Sequence, residues 1–343
     1  MGGVGGTLRV TTPMRIVVLG TGPFAVPMFR SLLDSAHEVT ALVTRPTPPA
    51  KGREKAPPNP MRDLAEQRGV AVHSPASINS DDGRALIRSL APELLIVCDY
   101  GQILAADVLA LAPLGGINLH ASLLPRFRGA APIQWALFHG ESETGVSVIH
   151  MTPRMDSGPI LAVRTTRIAS DETHPDLEHR LSILGIEPVL EAISQLSAWD
   201  RASSIGTSQD PQQATKAPRL KKDDGKIDWS RSAEQIRNQV RALKPWPGTF
   251  TFWSRPDHEP LRIVIDTVSI LGLGIRAASR AADANEAGYQ PGEVVVSDRQ
   301  QLIVATGEGG LSLITVQPAG KRVMPIADFL HGYPLREGQR LGS

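Results

Sequence analysis

Near its start the chain runs Arg15-Ile16-Val17-Val18-Leu19-Gly20 directly into Thr21-Gly22-Pro23-Phe24-Ala25. A short, continuous apolar run that breaks at glycine reads as a strand buried on both faces. The G-x-G-x-x-A spacing then turns the strand sharply into a helix, expected over 24–33. A strand that enters a helix this way needs a parallel neighbour on each side. The sequence supplies candidates: strand-like runs at 38–44, 70–72 and 93–98, alternating with helical patterns at 59–68 and 80–90. The alternation predicts an α/β fold, a doubly wound (Rossmann-like), mostly parallel sheet. Such folds bind ligands in crevices at the carboxyl ends of their strands.

A dinucleotide site should carry an acidic residue about 20 positions beyond the glycines, at the end of the second strand. Thr44-Arg45-Pro46 stands there instead. The glycines then serve a tight turn with no nucleotide. An arginine suits a 2′-phosphate, so a nicotinamide-dependent oxidoreductase stays as a rival.

The stretch from Gly115 to Gly158 carries the chemistry. Ile117-Asn118-Leu119-His120 alternates apolar with polar, so Asn118 and His120 share one face of a half-buried strand. The loop Ser122-Leu123-Leu124-Pro125-Arg126-Phe127-Arg128-Gly129 follows, then a second strand-like run at 145–151 and a turn carrying Asp156-Ser157-Gly158. An amide and a protonated imidazole can donate to an oxyanion, and a carboxylate favours the charged imidazole and accepts a proton. That is equipment for acyl transfer. The plainer reading is a structural histidine with Asn and Asp in turns. Arg126 and Arg128 fit phosphate contacts and structural pairs equally.

Asn118-x-His120, Ser122-Leu123-Leu124-Pro125 and Asp156 resemble the signature of the folate-dependent formyltransferases. The run from Asn118 to Gln134, NLHASLLPRFRGAAPIQ, is most similar to the tRNA-acting members of that family. The resemblance implies a glycine turn without nucleotide and 10-formyltetrahydrofolate as formyl donor. It implies the methionyl amino group of initiator tRNA as acceptor and no metal. Asn118, His120 and Asp156 would be the catalytic residues, and Ser122, Leu123, Leu124 and Pro125 would hold the folate. The family tends to write Ala-Tyr-Gly where this chain has Asp99-Tyr100-Gly101, a loop that would line the pterin pocket; Asp99 faces either water or the pterin. The proline-rich loop at 46–60 carries Lys51, Arg53 and Lys55 against Glu54. By resemblance it reaches the tRNA acceptor stem, with Lys51 or Arg53 at its tip.

At 343 residues two domains are expected. The boundaries read as a leader at 1–13, a catalytic domain at 14–201, a linker of Ser/Gln/Ala/Gly composition at 202–217, and a second domain at 218–343. The second opens with a capped helix at 232–243, where Arg237, Arg241 and Lys244 form a basic stripe beside Ile236, Val240 and Leu243. Short β-rich runs then suggest an OB-like barrel. Between 216 and 262 there are eleven Lys/Arg against six Asp/Glu, which suits RNA-backbone contact as well as an ordinary spacer. Residues 272–290 read as an insertion, and Gln317-Pro318-Ala319-Gly320-Lys321-Arg322 resembles the tRNA-acting members.

Two further rivals stand. One is a family member acting on a small amine, such as an amino sugar nucleotide or glycinamide ribonucleotide; the basic loop and the 317–322 run favour tRNA over it. The other is a non-catalytic RNA-binding module. A net charge of +1 announces no global field, so any basic surface is local. One cysteine, Cys98, inside Leu94-Leu95-Ile96-Val97-Cys98, excludes an internal disulfide and a Cys-based zinc site and reads as buried. No apolar run reaches the roughly 20 residues of a membrane span, and the start lacks the pattern of a secretory signal. A cytoplasmic enzyme with no obligate protein partner is the expectation.

Overall fold

The computed structural model describes residues 12–48, 57–255, 258–271 and 288–342. Lys51, Arg53 and Lys55, and most of the 272–290 insertion, lie outside the described residues. The chain divides into two compact units. One holds the described residues up to Pro132 with Glu143–Arg167 and Glu178–Pro218. The other holds Ile133–Ser142, Ile168–Leu177 and the described residues from Arg219 onward.

The first part of the chain forms, in order, β1 (Arg15–Gly20), α1 (Val26–Leu33), β2 (Glu38–Val43), α2 (Pro60–Gln67), β3 (Ala71–His73), α3 (Asp81–Leu90), β4 (Leu94–Cys98) and α4 (Ala106–Leu109). Then come β5 (Gly116–His120), β6 (Arg128–Gly129), α5 (Pro132–Phe138), β7 (Glu143–His150), β8 (Ile160–Arg167), α6 (His174–Leu184), α7 (Ile186–Ser197) and β9 (Lys216–Ala217). The main sheet has the order β3-β2-β1-β4-β5-β7-β8. It is parallel from β3 to β5, while β7 runs antiparallel to both β5 and β8. The doubly wound, mostly parallel expectation is met.

The centre of this sheet is dry. Ile16, Val17, Val18, Leu19, Leu94, Leu95 and Ile96 are fully buried, as continuous apolar strands between two layers must be. Each such aliphatic side chain contributes roughly 1.5–3 kcal/mol by leaving water. Cys98 belongs to this core, and burial pushes its thiol up, away from the reactive thiolate. The chain winds outward from β1 to β2 and β3, then returns to place β4 on the other side of β1. The switch point therefore lies between β1 and β4, and there a Cβ on Gly20 would meet the Cys98 carbonyl oxygen at 2.9 Å. The glycine is needed for that approach.

The second part forms α8 (Ala233–Ala242), β10 (Thr249–Arg255), β11 (His258–Leu271), β12 (Val294–Ser297), β13 (Leu302–Ala305), β14 (Gly310–Pro318), β15 (Met324–Pro325) and α9 (Ile326–Gly332). Its antiparallel sheet, ordered β10-β11-β14-β13-β12, curls around Ile236, Val240, Trp253, Ile263, Leu313 and Phe329. The chain's tail draws the two edges together. Gly342 N donates to the Phe252 carbonyl on β10, and Leu341 N donates to that of Gly292, just before β12. This is the OB-like half-barrel expected from the short strands. Among the described residues no helix is long and apolar enough to cross a membrane.

Candidate active site

β5 carries the first two residues. Ile117 and Leu119 are buried on one face of the pleat, so Asn118 and His120 share the other. Asn118 is held in register from two sides, opposite Val97 on β4 and Ile149 on β7, and His120 from one, opposite Ser147 on β7. This paired backbone fixes where the amide and the ring emerge.

His120 is 6 % exposed. Its Nε2 lies 2.9 Å from the Phe127 carbonyl oxygen, which can only accept, so Nε2 carries a proton. Phe127 is itself held, its N–H donating to Thr215 Oγ1 at 2.8 Å. The remaining ring nitrogen, Nδ1, faces Asp156 Oδ2 at 3.8 Å. That is ion-pair contact, longer than a hydrogen bond. The same Oδ2 accepts the Gly129 N–H at 2.9 Å. The Asn118 amide is half-buried and has no hydrogen-bond partner among the described residues. His120 and Asp156, distant in sequence, are thus brought together, and Asn118 lies on the same strand face as His120. The site leaves one spare amide and one ring nitrogen facing a carboxylate.

The Ser122–Pro125 loop divides by depth. Ser122 is fully buried, and its hydroxyl donates to the Arg126 carbonyl at 2.7 Å. Leu124 is buried too, with its N–H donating to Ser147 Oγ. Only Leu123 and Pro125 are half-exposed. Ser122 and Leu124 hold the loop from within, while Leu123 and Pro125 keep part of their surface exposed. Arg128 does not meet an anion: its guanidinium forks onto Gln209 Oε1 at 2.6 and 3.1 Å. Arg126 is exposed, 5.1 Å from the Phe127 ring centroid.

The glycine turn at the switch point is occupied by the protein's own acid. A Cβ on Gly22 would sit 1.7 Å from Asp99 Oδ2, and Thr21 N–H donates to the Asp99 carbonyl at 3.1 Å. A carboxylate over this turn opposes the second negative charge that a pyrophosphate would bring. Asp99 is open to solvent yet crowded at its sides. Burial raises its carboxyl to about 6, and the Glu178 charge adds to the shift. A raised carboxyl stabilises the fold fully below the unfolded value of 3.8 and loses that contribution as pH rises through about 6. Asp99→Asn is therefore expected to gain thermal midpoint relative to the parent between about pH 4 and 6, then hold that gain, with solvent screening limiting its size. A midpoint difference that is flat from pH 4 to 7 would refute this assignment.

The formyl transferase domain model matches residues 14–193, and the model of the formyl transferase C-terminal domain matches 219–334. The chain belongs to the formyl transferase family. The methionyl-tRNA formyltransferase of Rhodopirellula baltica is 46 % identical over 341 residues, covering 97 % of this chain and 98 % of that protein. Among solved structures, WlaRD, a sugar 3N-formyl transferase crystallised in the presence of dTDP and 5-N-formyl-THF, matches with a TM-score of 0.60 at 14 % identity, over 91 % of this chain and all of that one. HypX from Aquifex aeolicus in complex with tetrahydrofolic acid matches with a TM-score of 0.56 at 17 % identity, over 93 % of this chain and 47 % of that one. At these identities the two structures speak for the fold. Among the described residues of this formyltransferase no cluster of three or more His, Cys, Asp or Glu could hold a metal.

The formyltransferase's C-terminal unit uses its basic stripe differently from the sequence expectation. Arg241 is buried, and its guanidinium donates to Asn238 Oδ1 and to the carbonyls of Ala169 and Glu172. Burial lowers its pKa, though an arginine stays charged. Arg237 pairs with Glu234 one helical turn away, and Lys244 Nζ lies 3.3 Å from Asp266 Oδ1. Amphipathic spacing placed all three on α8 or its end, but spacing carries no information about carbonyls that arrive from residues 169–172.

Proposed function

We propose that the chain transfers the formyl group of 10-formyltetrahydrofolate to the free amino group of methionyl initiator tRNA, giving N-formylmethionyl-tRNA for translation initiation. The observation that carries the reading is the approach of His120 Nδ1 to Asp156 beside the partnerless Asn118 amide. The 46 % identical methionyl-tRNA formyltransferase supports the choice of acceptor. Such substrates imply a cytoplasmic enzyme.

The folate supplies an activated formyl group bonded to nitrogen. The acceptor amine forms a bond to the formyl carbon, and the carbon–nitrogen bond to the folate breaks. During the exchange the formyl oxygen gathers negative charge. Asn118 and the Nδ1–H of a doubly protonated His120 donate to that oxygen, since Nε2 is spent on Phe127. Asp156 takes the proton that the amine sheds and passes it to the departing folate nitrogen, so that the carboxylate is restored. Within the loop, Leu123 and Pro125 would contact the folate, while Ser122 and Leu124 hold the loop's shape.

In this reading residues 14–201 are the catalytic domain and 218–343 a tRNA-holding domain. Lys51, Arg53 and Lys55 contact the acceptor stem, Arg237 and Lys244 offer charge to the tRNA backbone, and Arg241 supports them from within. Replacing Lys51, Arg53 and Lys55 together by alanine should raise the KM for tRNA and flatten its salt dependence, by about 0.7–0.9 in log–log slope per lost phosphate contact. An unchanged slope would remove the loop from the interface.

The acceptor is tested by offering purified enzyme and formyl donor three amines: methionyl-tRNA, glycinamide ribonucleotide and an amino sugar nucleotide. Formylation of the tRNA is expected. Preferential formylation of either small amine would overturn the assignment.

A further inference from the structure

We propose that Gln209 is a positioning residue for formyl transfer, holding Asp156 in place through its backbone; the proposal rests on the reading of Asp156 as the reaction's proton acceptor. The segment around Gln209 has linker composition, but it is stitched into the catalytic unit at both ends. Thr207 and Ile160 exchange two backbone hydrogen bonds of 2.8 Å. At the other end β9 pairs with β6, and Arg128 N–H donates to the Thr215 carbonyl at 2.9 Å. Gln209 sits between these anchors and reaches the Asp156 turn.

Its amide is used at both poles. Nε2 donates to the carbonyl oxygens of Asp156 at 2.9 Å and Gly158 at 2.7 Å. Oε1 accepts the Arg128 fork. Gly129, next along the chain, donates its N–H to Asp156 Oδ2. The bonds form a closed circuit: Asp156 carbonyl, Gln209, Arg128, Gly129, Asp156 carboxylate. The circuit grips the acid by its main chain and its side chain together.

The grip has something to resist. Asp156 has φ +50°, a left-handed conformation that a residue with a side chain adopts at a cost of order 1–3 kcal/mol. Apart from the Gly129 and Gln209 bonds, the side-chain bonds at this turn run within it, Thr152 Oγ1 and Ser157 Oγ to the Arg154 carbonyl and Thr152 Oγ1 against Ser157 Oγ. Gln209 brings a tie from more than fifty residues away. Without it the turn can relax, and a carboxylate displaced by about 1 Å costs on the order of a hundredfold in rate.

The test measures kcat, KM and thermal midpoint for Gln209→Ala, Gln209→Glu, Arg128→Ala and the double alanine variant. Gln209→Glu keeps the size and the Arg128 contact but removes both N–H donors. We expect kcat to fall ten- to a hundredfold in each single variant, with KM for both substrates within about twofold and the midpoint little changed. The double alanine variant should lose no more than the worse single, because both residues act in one circuit. Wild-type kcat in Gln209→Ala and Gln209→Glu overturns the proposal. Losses that multiply, or that follow the midpoint or KM, also overturn it. Asp156→Asn run in parallel separates the levels: if that variant retains full transfer, the reading of the acid itself has failed. If it is inactive while the Gln209 variants are normal, only the positioning role has.

Discussion

His120→Ala is expected to lower the rate of formyl transfer about 100- to 1000-fold while tRNA affinity stays within about twofold of the parent. The side chain is buried at the end of β5, and its Nε2–H is committed to the Phe127 carbonyl. In the proposed mechanism its contribution to the reacting oxygen therefore comes from one proton, on Nδ1. Removing a single pre-aimed donor from a dry site costs about 2.7–4 kcal/mol of transition-state stabilisation, which is the stated range. Ground-state binding changes little, because the charge that the donor meets develops only during the reaction. Filter binding of tRNA and single-turnover formylation, done on the same preparation, separate the two effects. Intact transfer with lost tRNA binding would favour a pure RNA-binding module.

Asp156→Asn is expected to cost about 100- to 10,000-fold in kcat, the usual worth of a positioned general base. The substitution is close to isosteric. An asparagine oxygen can still accept the Gly129 N–H, and the Gln209 bond to the Asp156 carbonyl involves only backbone. The turn should survive, so the loss reports charge and proton acceptance. In the proposed mechanism two functions go together: facing the His120 ring at 3.8 Å and taking the amine proton. KM for both substrates should stay near the parent value. A kcat within threefold of the parent would mean that the proton leaves by another route.

Much of the first unit was legible because local and global signals agree there. A wholly apolar run ending in Gly20 has few readings other than a buried strand and a turn. The period-two pattern at 117–120 places Asn118 and His120 on one face of β5, opposite the buried Ile117 and Leu119. Strand direction was less accessible. β7 pairs antiparallel with β5 after β6 and α5, and the expected pattern of elements contains no helix at 132–138. The segment 202–217 was read by composition as a linker. Its pairing with β6 and Ile160 is made by backbone atoms, which composition does not encode. Gln209 was missed for the same reason, and the only available signal was a glutamine in a stretch otherwise suited to solvent. Arg241 shows the converse. Amphipathic spacing marked it as surface charge, and carbonyls distant in sequence enclose it. Asp99 was noticed as a departure from the family's wording, but its seat over Gly22 needed coordinates.

The most direct test is a single-turnover reaction of the purified enzyme with 10-formyltetrahydrofolate labelled in the formyl carbon, offered methionyl initiator tRNA and, separately, methionyl elongator tRNA. The account predicts rapid appearance of label on the methionyl nitrogen of the initiator species and little on the elongator. Label on neither tRNA, under conditions where the folate and the initiator tRNA both bind, would contradict it.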